Sequence, residues 1–303
     1  MRGGGYLVEG RTGFLQCQIE RMMLLGLLWP KQVAQFLVVA GWCVSSAIAS
    51  STTNWAVLVS TSSSWYDYRH TSNALSMYTK LVERIPASNV ILMTAGSPQC
   101  DPRNIHIGRQ TVAPNHTVSG MPDYKGRDVN LDTLYRVLLN RGVARGLKST
   151  RESKVLIYLT GHGGEGVLSF QDSPTSHLTR QRLNSVLEEM HVAGSYGQLM
   201  LIVDSCQSGS LLEGISAPNV VGIASCPSGS PSYSRERDST MGISLIDEFT
   251  WWTVRALSDL DDPVQLADLV EMYRQRSINA VALGPRTANV GEFFAGRAAA
   301  VVT

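Results

Sequence analysis

A chain of 303 residues, 44 % hydrophobic and 17 % charged, has the apolar content for one sizeable core with a small appendage. Lys and Arg number 26 against 25 Asp and Glu, so no basic excess points to a nucleic-acid partner, and no run of like charge marks an interaction tail. No two of the five cysteines (Cys17, Cys43, Cys100, Cys206 and Cys226) have C-x-x-C spacing, which argues against a zinc site; no metal and no cofactor is expected.

Residues 1–49 read as a cleaved signal peptide. Arg21 and Lys31 supply positive charge, an apolar run over 36–49 follows, and Ala47-Ile48-Ala49 gives the small-residue pattern for cleavage after Ala49. Met22 or Met23 is an alternative start that yields a more compact signal. A membrane anchor and a buried core helix are the competing readings. The apolar run over 22–28 is broken by Pro30 and Lys31, however, and neither piece reaches the roughly 20 residues that a span needs. No later stretch is apolar enough to span either, so residues 50–303 are expected to form one lumenal domain. It keeps three cysteines, an odd number that leaves at least one free or paired with another chain.

From residue 55 the pattern alternates. Trp55–Ser60 is a short Val-rich run read as a buried strand, and 73–83 as a helix that stops before Pro86. Val90–Thr94 is the second strand. The segment 96–127 is rich in Pro, Gly and Asn and long for a loop, which marks it as functional or as a partner surface. Within it Asn115-His116-Thr117 is a glycosylation sequon. A helix over 131–139 puts Leu131, Leu134, Tyr135 and Leu138 on one face. A third strand is read over 155–160, then a helix over 179–190 with Thr179 as its N-cap. Strands over 199–203 and Val220–Ala224 follow, then helices around 242–257 and 264–276 with Asp262-Pro263 as the break between them. Continuous apolar strands separated by helices imply a mainly parallel sheet covered on both faces, with its active site beyond the carboxyl ends of the strands.

Two strands end in chemistry. Tyr158-Leu159-Thr160-Gly161-His162-Gly163-Gly164 delivers a His flanked by glycines, which let backbone approach a substrate and free N–H groups for an oxyanion. Leu201-Ile202-Val203-Asp204-Ser205-Cys206 delivers a thiol at the end of the next apolar strand. The separation of 44 along the chain (206 − 162) suffices for one helical crossover, which sets parallel strand ends side by side. A Cys–His pair follows: an ordinary thiol is only a few per cent thiolate near neutrality, and a neighbouring imidazole raises that fraction or acts as base. The backbone N–H groups of Gly163 and Cys206 are the candidate oxyanion hole. Cys226, following a buried strand, reads as core.

The segments YLTGHGG and DSCQSGS resemble those of clan CD cysteine peptidases, the group that includes caspases and legumains. The likeness is closer to the catalytic subunits of glycosylphosphatidylinositol (GPI) transamidases. It extends through 54–70 (NWAVLVSTSSSWYDYRH), 99–104 (QCDPRN), 170–173 (FQDS) and, more loosely, a last strand at 291–296 (GEFFAG). The resemblance implies a caspase-like three-layer α/β sandwich, with a mostly parallel six-stranded sheet and helices on both faces. It implies cleavage of a C-terminal GPI-attachment signal and transfer of the protein to the ethanolamine amine of the glycolipid. His162 and Cys206 would be catalytic. Arg69, Asp204 and Ser232 would line the substrate pocket by similarity to legumains, and Asp67 stands where relatives commonly carry an Asn thought to orient the His. The other reading of Asp67 is a turn or helix-cap residue.

Cys100 resembles a position used for a disulfide to a partner subunit; a free thiol is the alternative. The implied partners are membrane-bound transamidase subunits, a precursor protein and the GPI glycolipid, with residence at the endoplasmic reticulum membrane. The end at Thr303 without a spanning helix resembles the soluble trypanosome-like form. A legumain-like asparaginyl endopeptidase and a catalytically inactive assembly subunit are the rival functions.

Overall fold

The computed structural model describes residues 54–173, 175–258 and 264–294. The expected signal peptide and the 262–263 break lie outside them. The strands are β1 (Trp55–Ser60), β2 (Val90–Thr94), β3 (Gln110–Ala113), β4 (His116–Val118), β5 (Tyr124–Lys125), β6 (Lys154–Thr160), β7 (Gly163–Gly164), β8 (Val167–Ser169), β9 (His177–Thr179), β10 (Gln198–Asp204), β11 (Val220–Ala224), β12 (Ser234–Asp238), β13 (Ile243–Asp247) and β14 (Val281–Leu283). The helices are α1 (Tyr68–Leu81), α2 (Leu131–Leu138), α3 (Arg180–Val192), α4 (Gly209–Leu212), α5 (Glu248–Ser258) and α6 (Leu266–Arg274).

The central sheet has the order β14-β11-β10-β6-β1-β2-β5, parallel except for β14. Its inner strands are almost continuously apolar because both faces are covered. Side chains alternate between the faces, so Val57 and Val59 join a core with α2, α3 and α4, while Ala56 and Leu58 join a core with α1, α5 and α6. That is the expected three-layer sandwich. Helix starts follow capping chemistry: Asn130 accepts the Thr133 N–H at 2.9 Å, and Thr179 accepts that of Arg182 at 3.2 Å. Each such cap is worth about 1 kcal/mol.

Four differences from the sequence reading have physical causes. The sheet has seven strands rather than six, because β14 adds antiparallel to β11 and the two-residue β5 extends the edge at β2. The described part of GEFFAG is a 3-10 turn, Gly291–Phe293, rather than a strand. Helix α1 begins at Tyr68 rather than near residue 73; its first turns bury His70, Thr71 and Ser72, whose polarity reads as loop although each is inside. The region around 242–257 is part strand: β13 pairs with β12 in a hairpin and runs straight into α5, so one apolar run carries two structures. The long 96–127 segment is itself folded, with the β3–β4 hairpin packed on α1. Among the described residues no helix is long and apolar enough to cross a membrane.

Candidate active site

Register places the His and the Cys. Strands β6 and β10 are adjacent and parallel, and Thr160 pairs with Asp204. His162 stands two residues beyond the first (162 − 160) and Cys206 two beyond the second (206 − 204), on one rim. Gly161 N–H donates to the Asp204 carbonyl at 3.4 Å and extends the ladder past the strand end. Gly163 lies directly on the Cys206 backbone: a Cβ there would come within 2.5 Å of the Cys206 carbonyl oxygen and 2.6 Å of Ser205 Oγ. The glycine is therefore the residue that lets the two strand ends close on each other.

The N–H groups of Gly163 and Cys206 have no acceptor among the described residues. Ser169 N–H donates to the His162 carbonyl at 2.8 Å, so the next pair, Gly163 and Leu168, is a non-hydrogen-bonded pair of the antiparallel ladder. The Gly163 N–H thus points away from β8. Cys206 lies in the turn after β10, its thiol partly exposed and 3.9 Å from the Ser232 carbonyl oxygen.

His162 Nε2–H donates to Asp67 Oδ1 at 2.7 Å, and Nδ1 makes no hydrogen bond among the described residues. The ring is half exposed (50 %). Its pKa is raised, first by the hydrogen bond to Asp67 and further by that carboxylate's charge, against the opposing effect of burial. Asp67 closes the 3-10 turn Trp65–Asp67 and occupies the cap position of α1, yet its side chain makes no cap bond and goes to the imidazole instead. The turn is fixed from below by Asp172, whose Oδ2 accepts from Ser63 N, Ser63 Oγ and Ser64 N at 2.8, 3.0 and 3.1 Å. Gln171 and Asp172 both adopt positive φ (58° and 53°), a strained local choice that the clamp holds in place.

Beside the pair lies a buried polar cluster. Arg69 reaches Asp67 at 3.5 Å and Asp247 at 3.2 Å. Asn73 donates to Asp247 Oδ2 at 2.6 Å and to Thr160 Oγ1 at 3.0 Å, and accepts the Asp247 N–H at 3.0 Å, joining α1, β6 and β13. Burial, with the nearby Asp204 charge, pushes the Asp247 carboxyl up to about 7. Burial also raises that of Asp204. Asp204 is 1 % exposed; Ser232 donates to its Oδ1 at 3.0 Å and Thr250 to its Oδ2 at 2.6 Å, so any role it has in a pocket runs through those hydroxyls. His70, 2 % exposed, lies edge-on to His162 with ring centroids 5.0 Å apart. Burial, helped by the Arg69 charge, holds its pKa well below the usual imidazole range, so it is neutral.

A sequence model of the peptidase C13 family matches residues 54–282. The chain belongs to the peptidase C13 family. It is similar to the GPI-anchor transamidase of Schizosaccharomyces pombe, 35 % identical over 254 residues, which cover 78 % of this chain and 66 % of that one. It is also similar to the putative GPI-anchor transamidase of Drosophila melanogaster (38 % over 229 residues, 72 % and 64 %) and to the human GPI-anchor transamidase (35 % over 235 residues, 74 % and 58 %). The chain therefore spans about three fifths to two thirds of the length of these relatives.

In this C13 chain Asp67, His162, Gly163, Cys206, Arg69, Asp204 and Ser232 gather at one rim, whereas Cys100 and Asn115 belong to the 96–127 segment. Cys206 and Cys226 are the free thiols among the described residues. Asn115 is exposed at the tip of the β3–β4 hairpin with φ 59°. The sequence reading missed His70, Asn73, Asp172 and Asp247. The first two carry a signal, since 67, 70 and 73 recur at three-residue spacing on one helix face. Asp172 lies in the FQDS segment that carries the family likeness, whereas Asp247 has no signal that separates it from a surface acid.

Proposed function

We propose that this chain is the catalytic subunit of a GPI transamidase acting in the endoplasmic reticulum lumen. The observation that carries the reading is the shared rim: an imidazole and a thiol placed by the Thr160–Asp204 register of two parallel strands, in a chain similar to proteins named GPI-anchor transamidase. Cys206 gives its proton to His162 Nδ1 and attacks the carbonyl carbon of the attachment residue. The oxyanion is received by the N–H groups of Gly163 and Cys206. Collapse breaks the C–N bond, His162 returns the proton to the leaving amine of the signal peptide, and a thioester remains on Cys206. The ethanolamine amine of the glycolipid then attacks the same carbon, loses its proton to His162, and the thiolate leaves. Throughout, Asp67 holds Nε2–H, fixing the ring and favouring the imidazolium that each half-reaction forms.

In this reading Arg69 and Ser232 face the residue at which the precursor is cut, with Asp204 behind Ser232. Cys100 ties the chain to a membrane-bound partner subunit, Asn115 is glycosylated, and the precursor and glycolipid arrive at the rim from the membrane. The test is Cys206→Ala in cells carrying a GPI-anchored reporter. Anchor attachment is lost while the partner subunits still co-purify; attachment at the normal rate contradicts the proposal. Cleavage of a short Asn peptide by the chain alone, without partners, would instead favour an asparaginyl endopeptidase.

A further inference from the structure

We infer that Asp67, His70 and His162 form an inhibitory site for a Zn²⁺-class metal ion, built into the same rim as the nucleophile. Each of the three offers one ligand atom, and these atoms lie within 4.8 Å of one another. Four-coordinate zinc at its usual bond lengths keeps its ligands roughly 3.3 Å apart, so small side-chain adjustments collect all three. Two imidazoles and one carboxylate suit zinc, whereas calcium and magnesium favour all-oxygen sets.

The contacts of His70 fit the same reading. His70 Nδ1 shares a 2.9 Å hydrogen bond with Ser62 Oγ. In the tautomer that donates Nδ1–H to Ser62, Nε2 keeps its lone pair, and that nitrogen has no hydrogen bond among the described residues; Asp247 Oδ2 is 3.9 Å away. A ligating imidazole normally has its other N–H fixed in this way. The competing cation is Arg69, but its contact with Asp67 (3.5 Å) is longer than that with Asp247 (3.2 Å), so it keeps an anchor when the metal takes Asp67. Its charge weakens the site, as suits a reversible brake.

The effect on the chemistry follows from proton placement. Metal on His162 Nε2 displaces the proton now held by Asp67, and in the neutral bound ring the remaining proton sits on Nδ1. That nitrogen can then no longer accept the Cys206 proton. The open coordination position takes water or the thiol itself. This inhibition rests on the proposed role of His162, whereas metal binding does not.

The test uses the full chain carrying Cys206→Ala, titrated with Co²⁺ and followed by its visible absorption, then with Zn²⁺ in competition. A single equivalent should bind, and His162→Ala, His70→Phe and His70→Gln should each weaken binding at least about 100-fold, the upper end of what losing one second-shell contact costs. His70→Gln keeps a polar partner for Ser62 should the Phe variant not fold. In the assembled wild-type protein, Zn²⁺ should stop the reaction, EDTA should restore it, and His70→Gln should need at least about 100-fold more Zn²⁺ relative to its own basal rate. Undiminished Zn²⁺ binding in both His70 variants overturns the inference. So does loss of binding in Cys206→Ala with a thiolate-to-cobalt band in the parent, which puts the metal on Cys206 and His162 alone.

Discussion

Replacing Gly163 by Ala tests whether this glycine both closes the rim and supplies an oxyanion donor. The added Cβ would lie 2.5 Å from the Cys206 carbonyl oxygen, about 0.8 Å closer than an ordinary C···O contact of roughly 3.3 Å. Ser205 Oγ, at 2.6 Å, can rotate away; a backbone carbonyl cannot, so the strand ends must part. A displacement near 1 Å costs on the order of 100-fold in rate, and loss of one oxyanion donor costs about 100- to 1000-fold. The φ of Gly163 is not in the left-handed region, so an Ala there carries no backbone penalty of its own. The expected result is therefore a fall in kcat of about 100-fold or more with KM little changed. Gly164→Ala is the matched control: its Cβ meets only Val167 Cγ2, at 3.4 Å, an ordinary contact. The assay is release of the signal peptide by the assembled protein, with alkylation of Cys206 confirming that the thiol is present and accessible. Parent-like turnover in Gly163→Ala, or equal damage from Gly164→Ala, refutes the reasoning.

Asp67→Ala should lower kcat by about 100-fold with the fold intact, and the His162 titration should move downward because the bond and charge that raise it are gone; an unmoved titration by NMR removes Asp67 from its orienting role. Asp247 gives a stability signature. Its folded pKa, about 7, lies above the ordinary 3.8, so the folded state holds this proton more tightly, and the stabilisation is complete below about pH 4 and lost as the pH rises through about 7. The Tm of Asp247→Asn relative to the parent should therefore climb across that window; a constant or falling difference contradicts the assignment. On a non-reducing gel of the complex, a heavier species containing this chain should disappear in Cys100→Ser, and glycosidase treatment should shift the parent but not Asn115→Gln.

Periodicity revealed the sheet because its strands are buried on both faces: Trp55–Ser60, Val90–Thr94 and Val220–Ala224 read as strands from their unbroken apolar character alone. The meeting of His162 and Cys206 at one rim was legible for a related reason, since a strand that ends in Gly-His-Gly or in Asp-Ser-Cys carries that His or Cys just past the sheet. What failed were places where tertiary burial overrides local character. His70 and Ser72 are polar and lie before the expected helix start, yet they are inside α1, paid for by hydrogen bonds to Ser62 and Gln110. The β12–β13 hairpin was hidden because Ile243–Asp247 continues without punctuation into the apolar turns of α5. Asp247 acquires its meaning only when that hairpin folds against α1, a contact between residues 174 positions apart.

The most direct test of the proposed chemistry is to capture the acyl-enzyme. The assembled protein is given a precursor peptide without any amine acceptor, quenched in acid and digested for mass spectrometry. The account predicts a thioester on Cys206, discharged by added amine and absent from Cys206→Ala. Acylation at Ser205 or Ser208, or product formation by Cys206→Ala at the parent rate, would contradict it.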